Sequence, residues 1–177
     1  MNKKLNIGVI SCSVMAQLHM KAVIDHPNAE LYMICDINEA LLNETAAKYN
    51  ISRKTTDYRQ MLADPAVDAV IIVTPDQTHR EISVAALEAG KHVLCEKPMA
   101  LTLDDCKAMI YAAAKAKTKM MVGQICRYTP GFVAAKNLIE RGEIGELFFV
   151  ETEYAHDYAH IDVEWRLDPL RHGFLGG

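Results

Sequence analysis

The sequence predicts an α/β fold built on a doubly wound parallel sheet, and three observations lead there. Short apolar runs alternate with amphipathic segments along residues 1–124. Several of those runs are near-continuous in Val, Ile, Leu and Met, as parallel strands covered on both faces require. The strand–helix–strand unit repeats, and such crossovers wind right-handedly into one sheet.

Each element follows from its own signals. "LNIGVIS" (5–11), "ELYMICD" (30–36), "DAVIIVT" (68–74), "KHVLCE" (91–96) and "KMMVGQ" (119–124) read as strands. Helices are expected at 15–26, at "NEALLNETAAKY" (38–49), at "DYRQMLA" (57–63) and at "THREISVAALEA" (78–89), the last closed by Gly90. "TLDDCKAMIYAAAKA" (102–116) opens on Thr102 with an acidic first turn, which suits a helix N-terminus. Beyond residue 125 the pattern changes. "PGFVAAKNLIERGEIG" reads as a connecting helix with Pro130 near its start and Gly142 at its end. "ELFFVETEYAHDY" (146–158) then reads as a long strand with no evident partner in the chain. A lone strand is not a stable sheet and its edge invites association. The expected organisation is a dinucleotide-binding domain over 1–124, then at 125–177 the start of a truncated α/β second domain.

Composition narrows the function classes. Half of the 177 residues are hydrophobic, 24% are charged and the net charge is −4. No Lys/Arg-rich run points to nucleic acid or an anionic membrane. The basic-then-apolar opening "MNKKLNIGVI" is too short in its apolar part for a signal peptide, and no run reaches the ~20 residues of a membrane helix. A cytoplasmic protein is expected. The five cysteines (12, 35, 95, 106 and 126) are odd in number and far apart. They carry neither metal-ligand spacing nor a disulfide framework. Cys12, Cys35 and Cys95 fall near strand ends and read as small buried thiols, with a reactive thiol beside a cofactor as the alternative.

The first turn is where the chemistry begins. In a dinucleotide turn G-x-G-x-x-G/A, the glycines allow a tight turn, close approach of pyrophosphate and close helix packing. Here those positions are Ser11, Ser13 and Ala16, and only Ala16 conforms. A non-Gly residue in a left-handed conformation costs about 1–2 kcal/mol, yet the helix N-terminus still offers N–H groups to an anion. Asp36 ends the second strand, where an acid receives the adenine ribose hydroxyls and disfavours a 2′-phosphate, so NAD is expected over NADP. Capping of the helix at 38–49 is its alternative role. "VTPDQTH" (73–79) and "CEKPMA" (95–100) follow later strands and fall on the carboxyl edge of the sheet, the ligand-binding edge of this fold class. Lys97, beside Glu96 and before a proline, is suited to proton donation or substrate anchoring, or else pairs with Glu96 as a solvated loop pair.

Together the segments "IGVISCSVMAQLH", Asp36, "TPDQTH", "KHVLCEKPMA", "GQICRYTPGF", "IERGEIGEL" and "EWRLDP…GFLGG" resemble, in this order, the Gfo/Idh/MocA family of glucose–fructose oxidoreductases and inositol dehydrogenases. That resemblance implies a Rossmann domain and hydride transfer between NAD(P) and a hydroxyl of a sugar or cyclitol, often in a homo-oligomer. It implies that the turn residues Ser11, Cys12, Ser13, Val14 and Met15 lie at the cofactor together with Asp36. Thr74, Pro75 and His79 would line its nicotinamide half, and Glu96, Lys97 and Gln124 would contact it. Lys97 would also assist proton transfer as the catalytic lysine, Pro98 would be cis, and Arg127 would lie on the substrate side. No metal is implied. Two departures stand out. The serine turn should weaken pyrophosphate binding. The chain also stops before the segment in which the family carries a further Asp and His. Two other readings accompany the oxidoreductase: a non-catalytic nucleotide-binding or self-associating module, and an NAD-using glycosidase of the same fold.

Overall fold

The computed structural model describes residues 4–153 and Ala155. Its elements run in the predicted order. β1 (Leu5–Ile10) leads to α1 (Val14–Asp25), β2 (Ala29–Cys35) to α2 (Glu39–Tyr49), and β3 (Lys54–Thr55) to α3 (Tyr58–Ala63). β4 (Ala69–Ile72) and α4 (His79–Glu88) are followed by β5 (His92–Cys95), α5 (Leu103–Lys115), β6 (Met120–Val122) and α6 (Pro130–Glu140). Single 3-10 turns occupy Asp76–Thr78 and Ile125–Tyr128.

All six strands form one parallel sheet in the order β3-β2-β1-β4-β5-β6. Strand order reverses between β1 and β4, which makes that point the topological switch. The register decides what meets there. Ile10 pairs with both Cys35 and Ile72, Ile72 with Cys95, and Cys95 with Val122. The strand ends are therefore level, and Ser11, Asp36, Glu96 and Gly123 each leave the same edge as the next residue of the chain.

Alternation along the strands builds two cores. On one face Met61, Leu62, Ile82, Ala86, Leu87 and Met109 from α3, α4 and α5 pack on Val70, Ile72 and Cys95. On the other, Ala16, Met20 and Val23 of α1 and Leu42 of α2 pack on Ile7, Val9, Ile34 and Ile71. Gly8 permits the first core. A Cβ there would come within 2.4 Å of the Met61 sulfur, so a side chain at this position would force the buried Met61 to move. Local caps end the helices as the sequence predicts, with Thr102 accepting the Asp105 N–H and Gly90 taking φ +74 after α4.

β3 is two residues long and carries too little pattern to be read from sequence. α6 opens on Pro130 and ends at Glu140, with Gly142 at φ +71 just past its cap as expected, and Gly145 at φ +72 follows in a turn. One expectation differs from the structure. The strand expected over 146–158 is not formed at 146–153 or at Ala155, and residues 154 and 156–158 lie outside the described residues. Its alternation is real, but a strand exists through ladder hydrogen bonds. Residues 146–153 are exposed throughout and have no ladder partner among the described residues. No helix among the described residues is long and apolar enough to cross a membrane.

Candidate cofactor and lysine site

The turn after β1 keeps the path of a glycine turn without its glycines. Ser11 has φ +106, in the left-handed region that glycine enters freely, and its N–H donates to the Cys35 carbonyl at 2.7 Å. The hydroxyls then occupy the turn's own amides. Ser11 Oγ accepts the Ser13 N–H at 3.1 Å. Ser13 caps α1, its Oγ accepting the Ala16 N–H at 3.4 Å. Ala16, fully buried, lets α1 close on the sheet.

Asp36 joins the same cluster. Its Oδ2 accepts the Cys12 N–H at 2.7 Å and its Oδ1 accepts the Asn38 N–H at 2.8 Å. The cap of α2 is Asn38, whose Oδ1 accepts the Leu41 N–H; capping of that helix by Asp36 is corrected accordingly. Each carboxylate oxygen has a second lone pair, so Asp36 can still receive a ribose hydroxyl. Val14 and Met15 are exposed, and their amides have no acceptor among the described residues. These open donors at a helix start, with an acid alongside, fit a dinucleotide.

The second cluster surrounds Lys97. The Lys97–Pro98 peptide is cis, and the Lys97 N–H donates to Glu96 Oε2 at 3.0 Å. From the α4 side, His79 bridges two loops, its Nδ1 2.8 Å from the Pro98 carbonyl and its Nε2 2.9 Å from the Thr74 carbonyl. His79 is fully buried, with both ring nitrogens facing carbonyls, so its role is to tie the Thr74 and Pro98 loops. The Thr78 hydroxyl lies 2.7 Å from both Thr74 Oγ1 and the Pro75 carbonyl, closing the turn in which Pro75 is exposed.

Sequence reasoning missed His19 and Gly123. His19 Nε2 of α1 stands 2.7 Å from Glu96 Oε1. A Cβ on Gly123 would come within 3.3 Å of the same oxygen, so the glycine makes room for the carboxylate. The signals for His19 are its place at the end of the segment "IGVISCSVMAQLH" and, one position before the buried Met20, at the margin of the helix's buried stripe. Burial pushes the Glu96 carboxyl up. The His19 hydrogen bond, the Lys97 amide and the charges of His19 and Lys97 outweigh it and hold the group below its ordinary value.

Burial also settles the thiols. Cys12 is pushed up to about 11 by burial and then by Asp36, and Cys35 and Cys95 are pushed up to about 12, chiefly by burial. Thiols held that high are not nucleophiles at neutral pH. Gln124 and Arg127 are exposed, and their side chains are tied to neither cluster. A groove of about 520 Å³ along α4 and α5 is lined by no residue of either cluster. Among the described residues, no group of three His, Cys, Asp or Glu side chains could hold a metal.

A level strand edge with a helix-start turn, an acid after the second strand and a lysine turn after the fifth is the arrangement of a dinucleotide-binding α/β domain. The chain belongs to the Gfo/Idh/MocA oxidoreductase family, whose NAD-binding Rossmann-fold model matches residues 5–124. It is 34% identical over 175 residues to levoglucosan dehydrogenase of Pseudarthrobacter phenanthrenivorans, covering 93% of this chain and 45% of that protein. It is 34% identical over 149 residues to inositol 2-dehydrogenase of Salmonella typhimurium, covering 82% of this chain and 44% of that one. Among solved structures, levoglucosan dehydrogenase in complex with NADH and levoglucosan superposes with a TM-score of 0.77 at 36% identity, over 81% of this chain and 41% of that one. An NAD-binding oxidoreductase from Klebsiella pneumoniae gives 0.74 at 38% identity, over 81% and 40%. The chain thus spans less than half the length of the relatives it matches.

Proposed function

We propose that this chain is the cofactor-binding part of an NAD-dependent oxidoreductase acting on a hydroxyl of a sugar or cyclitol. The observation that carries the reading is the level strand edge, which brings the Ser11–Asp36 cluster and the Lys97 turn to one side of the sheet. NAD, when bound, supplies the acceptor for a hydride leaving the substrate carbon. The amides at the start of α1, from Val14 and Met15 with the Ser11–Cys12–Ser13 turn, receive the pyrophosphate. Asp36 receives the adenine ribose and repels a 2′-phosphate. Thr74, Pro75, Glu96 and Gln124 line the nicotinamide half, shaped by His79, and Arg127 lies on the substrate side. The Lys97 amine holds or moves the proton of the substrate hydroxyl. Residues 1–124 form this domain, and 125–177 begin the next.

Calorimetric titration of the chain with NADH and NADPH tests the assignment. NADH is expected to bind more tightly, and tighter NADPH binding would overturn the preference assigned to Asp36. Lys97→Ala is expected to leave NADH affinity largely intact and to lower turnover by orders of magnitude wherever turnover is measurable. A second reading, a nucleotide-binding module without catalysis, is favoured by the serine hydroxyls that occupy the Ser13 and Ala16 amides. Cytoplasmic location and a homo-oligomer complete the proposal. The exposed Phe148 and Phe149 favour self-association, which sedimentation at rising concentration measures.

A further inference from the structure

The Glu96–Lys97–Pro98 turn is held from both faces of the sheet. His79 of α4 grips the Pro98 carbonyl at 2.8 Å, and His19 of α1 grips Glu96 Oε1 at 2.7 Å. The two helices belong to different cores, α4 to one and α1 to the other. Glu96 is confined further. Its backbone N–H donates to the Ile72 carbonyl at 2.9 Å, its Oε2 takes the Lys97 N–H, and Gly123 lies beneath it. The side chains of His19 and Glu96 are only 21% and 12% exposed, so little water competes for this contact.

We propose that His19 is a positioning residue for Lys97: it occupies the Glu96 carboxylate and so keeps that carboxylate from pairing with the Lys97 amine. A largely buried carboxylate that loses a donor takes the nearest one available, and Lys97 is a cation close enough to stabilise Glu96. Without His19 the amine folds back onto its neighbour and is held by the Glu96 carboxylate. α1 therefore serves both clusters, capping the cofactor turn through Ser13 at its start and steadying the lysine turn through His19 one and a half turns later. The role in catalysis rests on the function proposed above, whereas the placement of the amine does not.

The test uses this chain and no cofactor. Lysines are acetylated with a limiting acylating reagent at constant pH, and the rate at each site is read by peptide mass spectrometry. Lys107, 74% exposed and paired among the described residues with Asp104 one turn before it, is the internal reference. His19→Ala is expected to slow acetylation of Lys97 by about threefold or more, the scale of one partly exposed ion pair. His19→Gln, whose amide can donate to Glu96 Oε1, is expected to restore the rate, and Lys107 is expected to be unchanged in both. An unaltered Lys97 rate in His19→Ala overturns the proposal, as does a Gln variant as slow as the Ala variant. A parallel NADH titration of the unaltered chain separates the two readings: absence of NADH binding removes the oxidoreductase assignment, while the acetylation rates still decide the role of His19.

Discussion

Asp36 accepts the backbone N–H of Cys12 at 2.7 Å, joining the end of β2 to the turn that opens α1. One carboxylate thereby fixes the turn and stands where a ribose would lie. Asp36→Ala is expected to cost about 1.5–3 kcal/mol of stability, the range for a hydrogen bond to a charged group. It should also weaken NADH more than NADPH. Urea denaturation measures the first effect and paired titrations the second. Unchanged discrimination between the two cofactors would assign specificity elsewhere.

Ser11→Gly separates strain from bonding. Relief of the left-handed conformation returns about 1–2 kcal/mol. Against it stand a lost Ser11–Ser13 hydrogen bond, worth about 0.5–1.5 kcal/mol, and the chain entropy of glycine, about 0.5–1 kcal/mol. These nearly cancel, so the melting temperature should barely move. Affinity for NADH should rise, because the Ser13 amide no longer has an internal acceptor. Ser13→Gly should cost only a few tenths of a kcal/mol, roughly what glycine costs as an N-cap, and should also tighten NADH binding. Titration of both variants against the unaltered chain checks this.

Glu96 makes a pH prediction with a definite sign. Its carboxyl is held below the ordinary 4.5 in the folded chain. It therefore contributes stability that is present above that value and is lost as pH falls through the lower folded value. Glu96→Gln should destabilise the chain by about 1–2 kcal/mol near neutral pH. It should also show a shallower loss of stability below pH 4.5 than the unaltered chain. Denaturant midpoints across the acid range provide the comparison.

Alkylation should sort the cysteines by place in the fold. Cys126 is exposed and Cys106 partly so, while Cys12, Cys35 and Cys95 are buried with their thiols pushed up to about 11, 12 and 12. Iodoacetamide at neutral pH should label Cys126 first and Cys106 next. The other three should react only once the chain is unfolded. Fast labelling of Cys12 in the folded chain would restore the reading of a reactive thiol beside the cofactor.

Apart from the two-residue β3, the order of strands and helices, the caps at Thr102 and Gly90 and the edge carrying Ser11, Asp36 and Lys97 were legible in the amino-acid order. They arise from local periodicity and from the rule that parallel strands need helical crossovers, both of which act within a few tens of residues. Tertiary structure alone decided that His19 meets Glu96, 77 positions away, and that His79 spans the Thr74 and Pro98 loops. Those contacts depend on the common register of Ile10, Ile72 and Cys95 and on which face each helix covers, and no short window of sequence contains either. Residues 146–153 show the converse: an alternating pattern permits a strand, but only a neighbouring strand supplies the hydrogen bonds that make one.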